Sequence, residues 1–170
     1  LGLSHVWIKD DSQLPTASLK DRASAVVITY ALELGIDKII TASTGNAGVA
    51  LAGMAAAAGL EAIIVAPDST PTVKLSQILI YGAKLVLVRG SYSDAFDLTV
   101  LAARQLGLYC RNTGFNPLTI EGKKTVAFEI CEQFSRRHSH STDQSWRAPD
   151  RVIVPVGDGN IIAALHKGFK

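Results

Sequence analysis

Lys38-Ile39-Ile40-Thr41-Ala42-Ser43-Thr44-Gly45-Asn46-Ala47 reads as a strand, a turn and the start of a helix. The run over 38–42 is apolar and rich in β-branched side chains, Ser43 to Asn46 carries turn residues, and small apolar residues continue over 47–58 until Gly59. The same alternation extends in both directions. Downstream, 62–66 is a strand ended by Pro67, 72–81 a helix stopped by Gly82, and 84–88 a strand. A helix over 91–106 stopped by Gly107 and a strand-like 108–111 follow. Upstream, Ala23, Val26, Val27, Tyr30, Ala31 and Leu34 recur at helical spacing before Gly35, and Val6-Trp7-Ile8 suggests a short strand. Beyond a loop over 112–119, the pattern predicts a helix over 121–137, a last strand over 151–156 and a helix from Ile161 onward. Continuous apolar strands alternating with helices predict an α/β fold with a parallel sheet and flanking helices.

Composition agrees. The 170 residues are 48% hydrophobic but only 6% aromatic, so the core is built from Ala, Val, Ile and Leu, which suits a buried parallel sheet. A formal net charge of +2 with scattered charges argues against nucleic-acid or membrane partners. Cys110 and Cys131 lack metal-ligand spacing and read as small buried groups, which fits a reducing, cytoplasmic compartment. His138 and His140 lie in a polar stretch and read as solvated, so no metal site is expected. The chain starts at Leu1 without a methionine and stops at Lys170 inside a helical pattern, so it reads as a truncated portion of a longer protein.

Three stretches carry chemistry. In Pro15-Thr16-Ala17-Ser18-Leu19-Lys20-Asp21-Arg22, Ser18 and Asp21 read as a capping box, which puts Lys20 in the first turn of a helix. There the positive end of the helix dipole disfavours an ammonium, and burial would lower its pKa further. A neutral lysine is a nucleophile for an aldehyde. At the second stretch, Ser43-Thr44-Gly45-Asn46, backbone N–H groups and hydroxyls converge on a helix start and form a corner fit for a carboxylate or phosphate. The third, Gly157-Asp158-Gly159-Asn160, opens the terminal helix with glycines that let a phosphate approach. It is no dinucleotide fingerprint, because Ile162 stands where a third glycine is needed. An amine, an anion corner with an amide and a glycine-rich corner together describe a cofactor bearing an aldehyde, a hydroxyl and a phosphate. Pyridoxal phosphate fits that description.

At these residues the chain resembles fold-type II pyridoxal-phosphate enzymes, threonine synthases above all. The lysine stretch, the asparagine loop Ala42-Ser43-Thr44-Gly45-Asn46-Ala47 and the phosphate loop Pro155-Val156-Gly157-Asp158-Gly159-Asn160-Ile161 occur in the family's order. Asn116-Pro117-Leu118-Thr119-Ile120-Glu121-Gly122-Lys123-Lys124-Thr125 is similar to a segment particular to threonine synthases. The resemblance implies a tryptophan synthase β-like fold, with 1–36 and 112–170 in a larger cofactor-binding domain and 37–111 a smaller domain carrying the asparagine loop. It implies that Lys20 holds the cofactor and moves protons, and that Asn46 bonds the ring hydroxyl. Gly157, Asp158, Gly159, Asn160 and Ile161 would cradle the cofactor phosphate. Ser43, Thr44, Gly45, Ala47, Asn116 and Lys124 would meet the amino-acid substrate, O-phosphohomoserine, which becomes threonine and phosphate. A homodimer follows by analogy. Two departures stand out: Thr119 lies where the family commonly has a nearby arginine for the substrate phosphate, and Asp158 lies in a loop that is usually uncharged. The alternatives are a serine/threonine dehydratase, a cysteine-synthase-like β-replacement enzyme, and a non-catalytic module binding phosphate or an amino acid.

Overall fold

The computed structural model describes residues 5–138 and 146–170. The strands β1 (Lys38–Ala42), β2 (Glu61–Pro67), β3 (Lys84–Val88) and β4 (Tyr109–Cys110) form one parallel sheet in the order β3-β2-β1-β4. The helices are α1 (Lys20–Glu33), α2 (Asn46–Ala58), α3 (Thr72–Leu79), α4 (Tyr92–Leu106), α5 (Leu118–His138) and α6 (Asn160–Phe169). Successive strand residues point to opposite faces of the sheet, and the core splits accordingly. Ile39 and Ile64 pack with Ile28, Leu51 and Ile78 from α1, α2 and α3. Ile40 and Val65 pack with Ala95 and Ala103 of α4 on the other face. The α/β expectation therefore holds, and Gly35, Gly59, Gly82 and Gly107 end their helices with positive φ as read from the sequence.

Three local expectations fail. Residues 6–8 and 151–156 form no strand and join no sheet among the described residues. Ile8 and Ile153 are 83% and 97% exposed, so the apolar pattern there has no neighbour to bury it. Ser18 and Asp21 do not form a capping box. The helix is capped by Leu19 without a side-chain bond, because the Asp21 carboxylate instead takes the Thr16 N–H (2.7 Å) and hydroxyl. Ala17 turns the chain with a φ of 57°, a left-handed conformation that a non-glycine residue adopts at some cost. Lys20 still opens α1. Helix α5 starts earlier than predicted, because the Asn116 side chain accepts the Leu118 N–H at 3.0 Å. Both cysteines are buried and free, as expected. His140 lies outside the described residues, and among these no His, Cys, Asp and Glu cluster could hold a metal.

Helices α1, α5 and α6 pack together beside the sheet. Close approach is obtained with glycine: a Cβ on Gly122 would stand 2.2 Å from the Arg22 carbonyl oxygen, and one on Gly168 2.6 Å from the Ala127 Cβ. An ionic knot locks α1 to α5. The buried Arg22 guanidinium donates to both oxygens of Glu129 (2.6 and 2.7 Å), to both of Asp11 (2.9 Å each) and to the Thr125 hydroxyl. Those bonds from Arg22, with help from Lys9, push Glu129 down to a pKa of about 2. Arg22→Met leaves the half-buried Asp11 carboxylate without its cation, and the expected cost is about 3 kcal/mol in a urea melt. A midpoint equal to that of the parent protein would show the knot to be dispensable.

Candidate functional site

In parallel sheets a ligand cleft forms at the carboxyl ends of the strands, where the chain leaves neighbouring strands in opposite directions. Here β1 leads on to β2 and β3 on one side, and β4 lies on the other. A cleft of about 440 Å³ opens at that place, lined by Lys20, Ala42, Ser43, Thr44, Gly45, Asn46, Ala47, Lys74, Tyr92 and Thr113. The first lysine of α1 and the corner after β1 thus share one cavity, although their positions in the sequence are well separated.

The floor is the β1–α2 corner. Gly48 lets α2 lie against the sheet: its missing Cβ would meet Ile64, Ser43 and Ile78 at 3.1–3.3 Å. The Ser43 hydroxyl is 2.8 Å from the Gly48 N–H and 3.2 Å from the Gly45 N–H, accepting both, and Ser43 is buried. Its side chain therefore holds the corner in shape. The Thr44 hydroxyl and the first amides of α2, from Asn46 and Ala47, are left to receive an anion, since helix-start N–H groups have no intrahelical acceptor. Behind the corner, the Asn112 carboxamide oxygen accepts from Ala42 N–H (2.7 Å) and the Thr41 hydroxyl (3.1 Å), tying the loop after β4 to the end of β1.

Lys20 is half-buried in the cleft wall. Burial lowers its pKa, the nearby Arg111 charge lowers it further, and Asp158 acts the other way. Asp158 also raises the pKa of Tyr92, after burial, and its charge reaches Lys123. Asp158 is thus within charge range of Lys20, Tyr92 and Lys123, but none of residues 157–161 lines the cleft. The Asn160 side-chain nitrogen lies 3.8 Å from where a Cβ on Gly114 would be, so the loop abuts the segment after β4. Gly157 and Gly159 have nothing within 4 Å of an added Cβ, which leaves room for an anion against the backbone. Asp158 already accepts the Asn160 N–H at 3.0 Å, so its carboxylate takes one donor the corner would offer. A half-buried amine with a lowered pKa and an anion corner in the same cleft suit a small aldehyde that carries an anionic group, while the open glycine corner at 157–160 lies outside the cleft lining.

Two expected substrate residues are placed elsewhere. The Asn116 side chain is used in full: its amide donates to the Cys110 carbonyl (3.0 Å), its oxygen caps α5, and it lines a separate, largely apolar recess with Tyr30, Tyr109 and Phe115. Lys124 pairs with Glu121 at 2.6 Å and stands over the Phe128 ring, outside the cleft. In their place the structure brings Lys74, Tyr92 and Thr113 to the cleft, and buries Arg111 and Lys123 beside it. The sequence signal for Tyr92 and Thr113 is their position shortly after β3 and β4, where a parallel sheet gathers ligand contacts, and Lys74 lies in the first turn of α3 after β2.

Known proteins are similar to this chain in sequence and fold. The pyridoxal-phosphate dependent enzyme family matches residues 1–170. Threonine synthase of Methanocaldococcus jannaschii is 40% identical over the whole of this chain, which covers 40% of that protein. Threonine synthase of Methanosarcina acetivorans is 36% identical, again over the whole chain and 40% of the relative. The chain thus spans about two fifths of the length of these relatives. Among solved structures, the processed form of threonine deaminase isoform 2 from Solanum lycopersicum superposes with a TM-score of 0.77 at 25% identity, over 95% of this chain and 41% of that one.

Proposed function

The chain belongs to the pyridoxal-phosphate dependent enzyme family, and from that premise we propose that its protein is a lyase of the threonine synthase type. The reaction would convert O-phosphohomoserine and water to threonine and phosphate. The observation that carries this reading is the meeting of Lys20 with the 43–47 corner in one cleft. The identity to two threonine synthases over the full chain supports the choice within the family.

When bound, pyridoxal phosphate supplies an electron sink for charge developing on the substrate. The chain's own residues do the rest. Lys20 holds the cofactor and carries protons between substrate carbons, a role helped by a pKa lowered through burial. Asn46 orients the ring hydroxyl. The Thr44 hydroxyl and the amides of Asn46 and Ala47 take the substrate carboxylate, while the Gly45 N–H is held by the Ser43 hydroxyl, which keeps the corner in register. The amides of Gly157, Asp158, Gly159, Asn160 and Ile161 hold the cofactor phosphate, which requires Asp158 to turn away from the Asn160 N–H. Tyr92 and Thr113 line the cleft beside this corner.

A cytoplasmic location, a homodimer and the division into 1–36 with 112–170 against 37–111 belong to the same proposal. No helix among the described residues is long and apolar enough to cross a membrane. The deciding assay supplies the intact protein and cofactor with O-phosphohomoserine, serine or threonine in turn. Phosphate and threonine should appear from the first. Ammonia and a keto acid from the other two would replace this reading with a dehydratase. Binding without turnover would leave a non-catalytic module.

A further inference from the structure

Asp21 is 2% exposed, yet it takes part in no ion pair among the described residues. The helix dipole favours an acid in a first turn, but that gain needs no burial. Burying a carboxylate away from any cation is costly unless its oxygens are hydrogen-bonded. Here both oxygens go to one residue: Oδ2 accepts the Thr16 N–H at 2.7 Å, and Oδ1 accepts the Thr16 hydroxyl. The turn closed in this way holds Ala17 at a φ of 57°, the one positive φ of a non-glycine residue among the described residues. Thr16 is itself seated on α2, since a Cβ on Gly53 would stand 2.7 Å from the Thr16 Cγ2 and 3.5 Å from the Tyr81 Cζ. Asp21 therefore grips a residue that touches the helix whose first turn belongs to the 43–47 corner. Successive helix residues are rotated by about 100°. The two that follow Lys20 are tied to different elements, Asp21 to Thr16 on α2 and Arg22 to Glu129 on α5. With both held, the first turn of α1 cannot roll, and the direction of Lys20 is set. Charge is not the link, because the charges that reach Lys20 are those of Asp158, Arg111 and Lys123.

We propose that the Thr16–Asp21 clamp is a positioning device for Lys20, which fixes the roll of α1 and its seat on α2 so that the amine meets the 43–47 corner. Neither Thr16 nor Asp21 lines the cleft, so both act through Lys20. The clamp deepens the proposed function and rests on it only in taking Lys20 as the reacting amine. A strained turn and a buried unpaired acid each cost stability, and their meeting beside that amine is the observation a mere helix cap leaves unexplained. The return is geometric: an offset of about 1 Å at a reacting group can cost roughly 100-fold in rate.

The test labels the intact, cofactor-free protein with acetic anhydride over pH about 6–10, where only the uncharged amine reacts, and reads Lys20 by peptide mass spectrometry. In the parent, half burial places the labelling midpoint of Lys20 below that of an exposed lysine. Asp21→Ala and the gentler, isosteric Thr16→Val open the clamp. Both should raise that midpoint and slow labelling at neutral pH at least about threefold, as the amine leaves its seat for water. With cofactor and substrate supplied, both should lose turnover about tenfold or more, at a KM within about twofold of the parent's. Asp21→Asn keeps an oxygen for the Thr16 N–H and an amide for its hydroxyl, so it should label and turn over as the parent does. Gly53→Ala, which pushes Thr16 off α2, should act like Thr16→Val, and adding Thr16→Ser, which removes the obstructing methyl, should restore the parent's midpoint. Losing a nearby negative charge lowers an amine's pKa. Lowered labelling midpoints in both Asp21 variants would therefore assign Asp21 a charge role and overturn the inference. Lowered urea midpoints with labelling and turnover unchanged would make the clamp purely structural and overturn it too. Should the parent form no cofactor band through Lys20 while the labelling shifts appear, the proposed function falls and the clamp stands.

Discussion

Lys20→Ala protein, mixed with pyridoxal phosphate, shows no cofactor-dependent visible absorbance band and loses turnover by roughly 10⁴-fold. The expectation follows from where the amine sits. Lys20 lines the same cleft as the 43–47 corner, and burial with the Arg111 charge keeps its pKa low, so a larger share of it is uncharged than of a surface lysine. Lys20→Arg separates charge from nucleophilicity, because a guanidinium keeps the positive charge but does not give it up near neutral pH. It should be as inactive as the alanine variant while folding as well as the parent. A full-strength band in either variant would remove Lys20 from the chemistry.

Gly122→Ala, a change of one methyl group, is expected to cost about 2–3 kcal/mol in a urea melt and to weaken cofactor binding in whatever folds. The new Cβ would lie 2.2 Å from the Arg22 carbonyl oxygen and 2.7 Å from the Ala23 Cα, and these are backbone atoms of α1 that cannot swing aside. Helix α5 must back away, which disturbs the Arg22 knot and moves Lys123 relative to Lys20. Gly157→Ala is the control for stability: its Cβ meets nothing within 4 Å, so its midpoint should match the parent's. Equal melts for the two alanine variants would mean that the α1–α5 approach is looser than described.

Much of the fold could be read in advance, because buried parallel strands are continuous apolar runs and their helices stop at glycines with positive φ. The 151–156 run misleads for the same reason: its apolar pattern describes a strand, but no pattern shows whether a neighbouring strand is there to pair with it. Ser18 and Asp21 mislead because Thr16 competes for the same carboxylate, and a motif read alone does not include its rivals. Lys20 and the 43–47 corner were legible as separate motifs, and the parallel-sheet rule already placed such corners at one end of the strands. The buried cations were not legible. Lys123 and Lys124 have the same charge and adjacent numbers, and about 100° of helix rotation separates them. The close seat of Gly122 on α1 sets that rotation, turning Lys123 inward and leaving Lys124 to Glu121.

The snug fit of Gly48 between Ile64, Ser43 and Ile78 has a practical corollary for redesign. The base of the cavity is already filled to contact, so enlarging any side chain there moves the amides meant for the carboxylate before it alters which amino acid is accepted. Variation aimed at a different side chain belongs on the opposite walls, at Lys74, Tyr92 and Thr113, where size and polarity can change without disturbing that grip.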